Sequence, residues 1–272
     1  MDNSNLPILL FSGGTHGNFI ARCLSIASGV QQKYNLWGSH QGAHTANYIP
    51  VVQPLHHYET DKTDVFAFIC LDEKDLYPAI LHLYRAGGDL GLDLLDDKDL
   101  RTRMYAAATS KPDITVGWQN NLQYFEDTDD ALREFLKLTI AHMSQHFLDI
   151  QTNVLNFRQI SHFINFADLH DYQSFEKCIQ KLVEGLGYTV VCNLQDIWQT
   201  FYTRNEHVLA SQQRVFDAFN SYVEKRQQDV SQLTLFEQAY IDYLREKYTG
   251  KPAAVTYIHG YPKSTLQIGY LD

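Results

Sequence analysis

Apolar and polar positions alternate along this chain with two different periods. Pro7-Ile8-Leu9-Leu10-Phe11 is a continuous apolar run bounded by turn residues, the pattern of a buried parallel strand. Ser12-Gly13-Gly14-Thr15-His16-Gly17-Asn18 follows as a loop of small residues. Phe19, Ile20, Cys23, Leu24 and Ala27 then recur at helical spacing, and Gly29 ends the pattern. A loop-like stretch from Trp37 to Asn47, rich in Gly and His, leads to a second strand over Tyr48–Leu55, which ends at His56-His57. Val65–Leu71 is the clearest strand. Asp72–Ala86 reads as a helix, with Pro78 placed awkwardly inside it and Gly87-Gly88 as its stop.

Ala131–Ile150 is amphipathic, with Leu132, Phe135, Leu136, Ile140, Met143 and Phe147 on one side. Phe163–Phe166 reads as a strand. Asp171 caps a helix carrying Phe175, Cys178, Ile179, Leu182 and Val183, closed by Gly185 and Gly187. Thr189–Cys192 is a short β-branched run. From Leu194 onward the pattern is mainly helical. Thr234 and Glu237 stand as a capping box, and their helix runs to Gly250 before Pro252. Strands alternating with helices argue an α/β class with a mainly parallel sheet. No internal repeat or low-complexity linker divides the chain. Residues 1–272 therefore read as one domain, with residues 193–250 as a mainly helical layer on the same sheet.

Composition narrows the function classes. An apolar share of 44% with 20% charged residues excludes a disordered or fibrous chain. The net charge of -10 argues against general nucleic-acid binding, which needs clustered Lys and Arg. The first residues carry no basic n-region, and no window is apolar enough to cross a membrane. Cys23, Cys70, Cys178 and Cys192 are far apart and form no CxxC, which suits free thiols in a reducing compartment. Together these point to a cytoplasmic protein with no membrane or nucleic-acid partner. Residues 89–99 and Glu126–Asp130 are acidic stretches that read as a solvated loop and a helix start. His142 and His146 are one helical turn apart but lack the HExxH pattern and a third ligand, so no metal is expected.

Ser12–Asn18 carries the most chemistry. A glycine-rich turn from a buried strand into a helix aims backbone N–H groups at one point, and the helix dipole adds positive charge there. That combination suits a phosphate or sulfate. The lysine-bearing Walker pattern is absent, and so is GxGxxG. His16 stands where a cation would be useful. A tight turn with no ligand is the alternative for the same residues.

Pro7–Leu24 resembles the 5′-phosphosulfate loop of sulfotransferases that use 3′-phosphoadenosine 5′-phosphosulfate (PAPS). Phe68–Ala86 is similar to that family's second cofactor motif, with Lys74-Asp75, His82 and Tyr84-Arg85 in register. Ile160–Gly187 is similar in style to the strand-plus-helix part of bacterial and viral members. The resemblance covers patches totalling about a quarter of the chain. It implies a three-layer α/β fold of the P-loop NTPase-like kind, with ligand at the carboxyl ends of the strands. It implies PAPS as the cofactor, held by Ser12, Gly13, Gly14, Thr15, His16, Gly17 and Asn18, with Arg22 standing in for a loop lysine. It also implies a catalytic base at the end of the second strand, His56 or His57, which takes the proton from an acceptor hydroxyl.

The chain departs from the family at three places. No lysine lies between residues 8 and 24. Leu71 stands where the family has an arginine for the cofactor 3′-phosphate, and Ala79 where it has a serine. Arg85, Lys74, Arg204 and Lys251 are the nearest basic substitutes. The expected function is a divergent sulfotransferase-like enzyme acting on a hydroxyl or amine of a carbohydrate or small molecule, without a metal. A non-catalytic binding or assembly protein on the same scaffold is the main rival. An ATP-dependent P-loop phosphotransferase and a glycosyltransferase with a similar loop are the others.

Overall fold

The structure is a computed structural model that describes residues 5–31, 49–86, 93–102, 128–224, 230–248, 253–257 and 266–270. The described residues fall into two compact units. The first holds those up to Asp75 and from Phe147 to Glu206; the second holds Leu76 to His146 and those from His207 onward.

The first unit is α/β. Strands β1 (Ile8–Phe11), β2 (Gln53–His56), β3 (Asp64–Cys70) and β4 (Gln159–Asn165) form one all-parallel sheet in the order β2-β1-β3-β4. β1 is buried along its whole length, as its unbroken apolar run requires. Ile8 and Leu10 join Phe68, Cys70 and Leu55 in a cluster with Ile150 and Val154 of helix α3 (Asp129–Phe157). Pleating turns Phe11 to the opposite face. There its ring lies against Gly17 at the start of helix α1 (Gly17–Ala27), where a Cβ would sit 2.1 Å from Phe11 Cγ. Helix α4 (Tyr172–Gly185) packs against α1 and is capped as expected, with Asp171 accepting from the Ser174 N–H at 2.9 Å.

Several boundaries differ from the sequence expectation for identifiable reasons. β2 spans only Gln53–His56, because the Val51 N–H is spent on Ser25 Oγ of α1 instead of the ladder; Tyr48 lies outside the described residues. Pro54 is tolerated because β2 pairs only with β1 among the described strands, so one edge needs no donor. Asp72–Ala86 is a 3-10 turn (Glu73–Asp75) followed by helix α2 (Leu76–Ala86). Pro78 is then in the first turn of a helix, where a missing N–H costs nothing. Thr189–Cys192 forms no strand; the Val191 N–H bonds to the Ala27 carbonyl at 2.9 Å.

The second unit contains α2, the first part of α3, the latter part of helix α5 (Leu194–Val223) and helix α6 (Leu235–Tyr248). The Thr234–Glu237 capping box forms reciprocally: Glu237 N–H donates to Thr234 Oγ1 at 3.2 Å, and Thr234 N–H to Glu237 Oε2 at 2.8 Å. The chain beyond α6 corrects the mainly helical expectation. Strands β5 (Ala253–Tyr257) and β6 (Leu266–Tyr270) pair antiparallel, and both segments carry the β-branched and aromatic residues that favour strands. No helix among the described residues is long and apolar enough to cross a membrane. His142 and His146 are exposed, and no group of three or more His, Cys, Asp or Glu is placed to hold a metal among the described residues. All four cysteines are free.

Candidate functional site at the carboxyl edge of the sheet

The sheet order places a switch point between β1 and β3: the chain leaves β1 toward β2 on one side and later returns to β3 on the other. Open parallel sheets bind ligands in the crevice outside such a point, at the carboxyl ends of the strands. Here that edge is built from the glycine loop after β1, His56 at the end of β2, the turn Leu71–Asp75 after β3, and the 3-10 turn Phe166–His170 after β4.

The glycine loop opens with a tight turn. The Thr15 N–H donates to the Ser12 carbonyl at 3.2 Å, and Thr15 Oγ1 donates to the same oxygen at 2.7 Å. Gly14 has φ 82°, the backbone state that the third residue of such a turn requires of glycine. Ser12 and Thr15 are buried, and Gly13 and Gly14 are half-buried. His16, the residue before α1, also adopts the left-handed conformation, with φ 61°. It makes no side-chain cap, and the first turn of α1 carries no acidic residue to answer the positive end of the dipole. Asn18 Oδ1, one residue into the helix, is buried with no hydrogen-bond partner among the described residues.

The His16 ring is not extended over the loop. It stacks on Phe166 with 5.7 Å between centroids and meets Phe201 edge-on at 4.9 Å. His170 packs on the same two rings, at 5.0 and 5.8 Å. Burial, and secondarily the Lys74 ammonium, push His170 down to about 4, so it is neutral at physiological pH. Its Nε2 is buried and has no hydrogen-bond partner among the described residues.

Of the proposed catalytic pair, His56 is the one held at the loop. It is in register with Phe11, the residue preceding Ser12, and the two rings lie 4.4 Å apart. Its other face stacks on the exposed Tyr58 at 5.4 Å. The turn is fixed by Glu59, whose N–H donates to the His56 carbonyl and whose carboxylate accepts the His56 N–H at 2.6 Å. His57 instead meets Tyr58 edge-on at 5.2 Å. Arg22 lies on α1 and is buried.

Leu71, at the position of the family's arginine, is buried, and both its backbone groups are taken by the Gln151 side-chain amide, at 2.8 and 3.1 Å. The turn after it is laced by two bonds: the Asp75 N–H donates to the Asp72 carbonyl, and the Asp72 N–H to Asp75 Oδ2, both at 2.9 Å. Lys74 Nζ lies 3.8 Å from Asp72 Oδ2. Burial raises Asp75 to about 7, against the lowering effects of the Asp72 backbone bond and Lys74. Asp168, on the next turn, accepts from Asn165 Nδ2 at 3.2 Å. Arg204 is exposed on α5. The Arg85 side chain and Lys251 lie outside the described residues.

The loop residues and His56 are thus brought to one edge, and Arg22 is buried on the helix that follows the loop. Sequence reading missed Phe166, His170 and Phe201 and gave Asp75 no role. The signal for the first two was present in the strand assignment, since parallel strands release their following turns on the same side. The backbone suits an anion, with two left-handed residues leading into an uncapped helix. The side chains fit an anionic cofactor less well, because Lys74 is paired with Asp72 and the turns also carry Asp75 and Asp168. Comparison with protein-family models, with curated proteins and with solved structures gives no match to this chain.

Proposed function

We propose that the carboxyl edge of the sheet is an anion site and that the chain is a divergent sulfotransferase-like transferase on a three-layer P-loop scaffold. The observation that carries this reading is the pairing of Phe11 with His56, which sets an imidazole beside the first residue of the glycine loop. In this reading Ser12–Asn18 receives the phosphosulfate end of PAPS, and His56 accepts the proton of an acceptor hydroxyl or amine on a carbohydrate or small molecule. His56 is favoured over His57 because its ring lies against Phe11 of the loop-bearing strand.

A second reading, a non-catalytic binding protein on the same scaffold, draws support from the seating of His16 between Phe166 and Phe201 and from the burial of Arg22. Calorimetric titration with adenosine 3′,5′-bisphosphate, with ATP plus Mg²⁺ as a parallel arm, separates the readings. Bisphosphate binding lost on Gly14→Val and kept on His56→Ala supports the transferase. Binding of ATP alone points to a phosphotransferase. Heat from neither ligand, on folded protein, favours the non-catalytic reading.

A further inference from the structure

The parallel sheet has two edge strands, β2 and β4, each paired with a single neighbour among the described strands, and they are finished differently. On β2 the Gln53 N–H donates inward to the Pro7 carbonyl at 2.8 Å, so Pro54 and His56 turn their backbone groups outward. Pro54 has no N–H to offer. The His56 N–H and carbonyl are both taken by Glu59, by its carboxylate at 2.6 Å and its N–H at 2.9 Å. Within β2, that edge offers no N–H to an added strand.

β4 is left open. The Gln159 N–H donates inward to the Thr63 carbonyl at 2.8 Å, so Ile160, His162 and Ile164 turn their backbone groups outward. The outward groups of Ile160 and His162 make no hydrogen bond among the described residues. Gln159–Asn165 contains no proline and no charged residue, the usual devices that blunt an edge. Gln159 and Ser161 are exposed, and Ile160, His162 and Phe163 are half-buried. Ile164 is 0% exposed, which closes the far end. The accessible part is therefore Gln159–Phe163. Just before it, at the end of α3, Leu155 and Phe157 are exposed, Phe157 at 72%, so apolar surface adjoins the open backbone.

We infer that the Gln159–Phe163 edge is an interface on which a second copy of this chain adds its own β4 antiparallel, with a two-fold axis at Ser161. The edge is self-complementary in that arrangement. Ile160 and His162 flank Ser161, so each Ile160 opposes the partner's His162, and each of these two pairs exchanges both N–H···O=C bonds. A register centred on His162 would need Ile164, whose burial excludes it. Charge selects the antiparallel sense. Arg158 precedes the strand; its guanidinium donates to the Thr60 and Lys62 carbonyls and has no carboxylate partner among the described residues. Asp168 and the exposed Asp171 follow the other end. An antiparallel copy brings each basic start toward the partner's acidic end, whereas a parallel copy sets like charges together. The inference is independent of the anion-site reading.

The test is sedimentation equilibrium of the full chain from about 1 to about 100 µM, which should show a monomer–dimer equilibrium. Ser161→Lys, at an exposed position, sets two ammonium groups face to face on the axis and should raise the dissociation constant about fivefold or more. Ser161→Cys places two thiols at the close, non-hydrogen-bonded pair of the ladder, with Cα atoms about 4.5 Å apart, and should cross-link the dimer under oxidised glutathione. Gln159→Cys holds its two thiols about 13 Å apart along the same ladder and should not cross-link. A native chain that stays monomeric over the whole range overturns the inference. So does a dimer in which Ser161→Cys fails to cross-link or Gln159→Cys cross-links equally well, because either result places the interface elsewhere; this arm does not depend on whether Ser161→Lys folds. A folded Ser161→Lys that dimerises as tightly as the native chain overturns it as well.

Discussion

Glu237 in the second unit and Asp75 in the first are both buried carboxylates, and their partners differ sharply. Glu237 is fully buried and accepts four hydrogen bonds: from Ser211 Oγ at 2.5 Å, from Arg214 Nη2 and Nε at 2.5 and 3.1 Å, and from the Thr234 N–H at 2.8 Å. Tyr77 extends the network, its hydroxyl 2.5 Å from Ser211 Oγ. A guanidinium balances the charge and the lone pairs are used, so this carboxylate acts as a strut between helices α5 and α6. Asp75 has the Asp72 N–H, a lysine shared with Asp72, and a second carboxylate nearby at Asp168. Burial is common to both. What separates the two is the charge that the surroundings leave unbalanced at Asp75.

The strongest way to break this contrast is Glu237→Ala. Removing the buried carboxylate takes the acceptor from Ser211 and the Thr234 amide, while Arg214, whose side chain is 50% exposed, turns to water; the expected loss is about 2–4 kcal/mol in urea denaturation. A loss below about 1 kcal/mol would contradict the strut, since exposed ion pairs are worth that little.

The next effect sharpens the contrast through pH. Burial raises Asp75 from the ordinary carboxylate range to about 7, so the folded state takes up a proton that the unfolded chain does not, and its contribution favours folding as pH falls from about 7 toward 4. His170 is lowered to about 4 from 6.5, so the unfolded chain takes up a proton that the folded state refuses, and its contribution is lost over pH 6.5 to 4. The two oppose each other. Denaturation midpoints measured across that window should be flat with respect to this pair in the native chain. Asp75→Asn should make stability fall on acidification, and His170→Phe should make it rise, each by at most about 1.4 kcal/mol per pH unit. Equal slopes in the two variants would contradict the opposed shifts of Asp75 and His170.

Gly17→Ala tests the loop's packing on its sheet. The new methyl meets the Phe11 ring, which itself touches His56, so a loss of about 1–3 kcal/mol is expected, together with weakened bisphosphate binding. Asp171→Ala supplies the small end of the scale. This exposed carboxylate caps α4, and the Ser174 bonds hold its pKa below the usual range, so about 1 kcal/mol should be lost above pH 4 and progressively less under more acid conditions.

The scaffold of the first unit was legible in the sequence because local signals and the fold agreed. β1 reads as an apolar run bounded by turns, α1 as a helical period ended at Gly29, and α4 as a capped amphipathic helix. Boundaries slipped where a tertiary bond competed with the pattern, as when Ser25 captured the Val51 amide. The β5–β6 pair was masked by the helical period before it. The glycine loop and His56 were visible as motifs, but their meeting at one edge depends on strand order, which no local pattern encodes. His16 shows the limit most clearly. Its sequence position suggests a ligand contact, while Phe166 and Phe201, more than 140 residues away in the chain, decide where its ring goes. The charge environment of Asp75 was equally hidden, because it includes Asp168 from a distant turn.

The most direct test of the account is whether the carboxyl edge binds an anion at all. Calorimetric titration of the native chain with adenosine 3′,5′-bisphosphate near neutral pH should give saturable micromolar binding that Gly14→Val abolishes. No heat on folded protein, or binding unchanged in folded Gly14→Val, would contradict it and leave Ser12–Asn18 as a turn between β1 and α1.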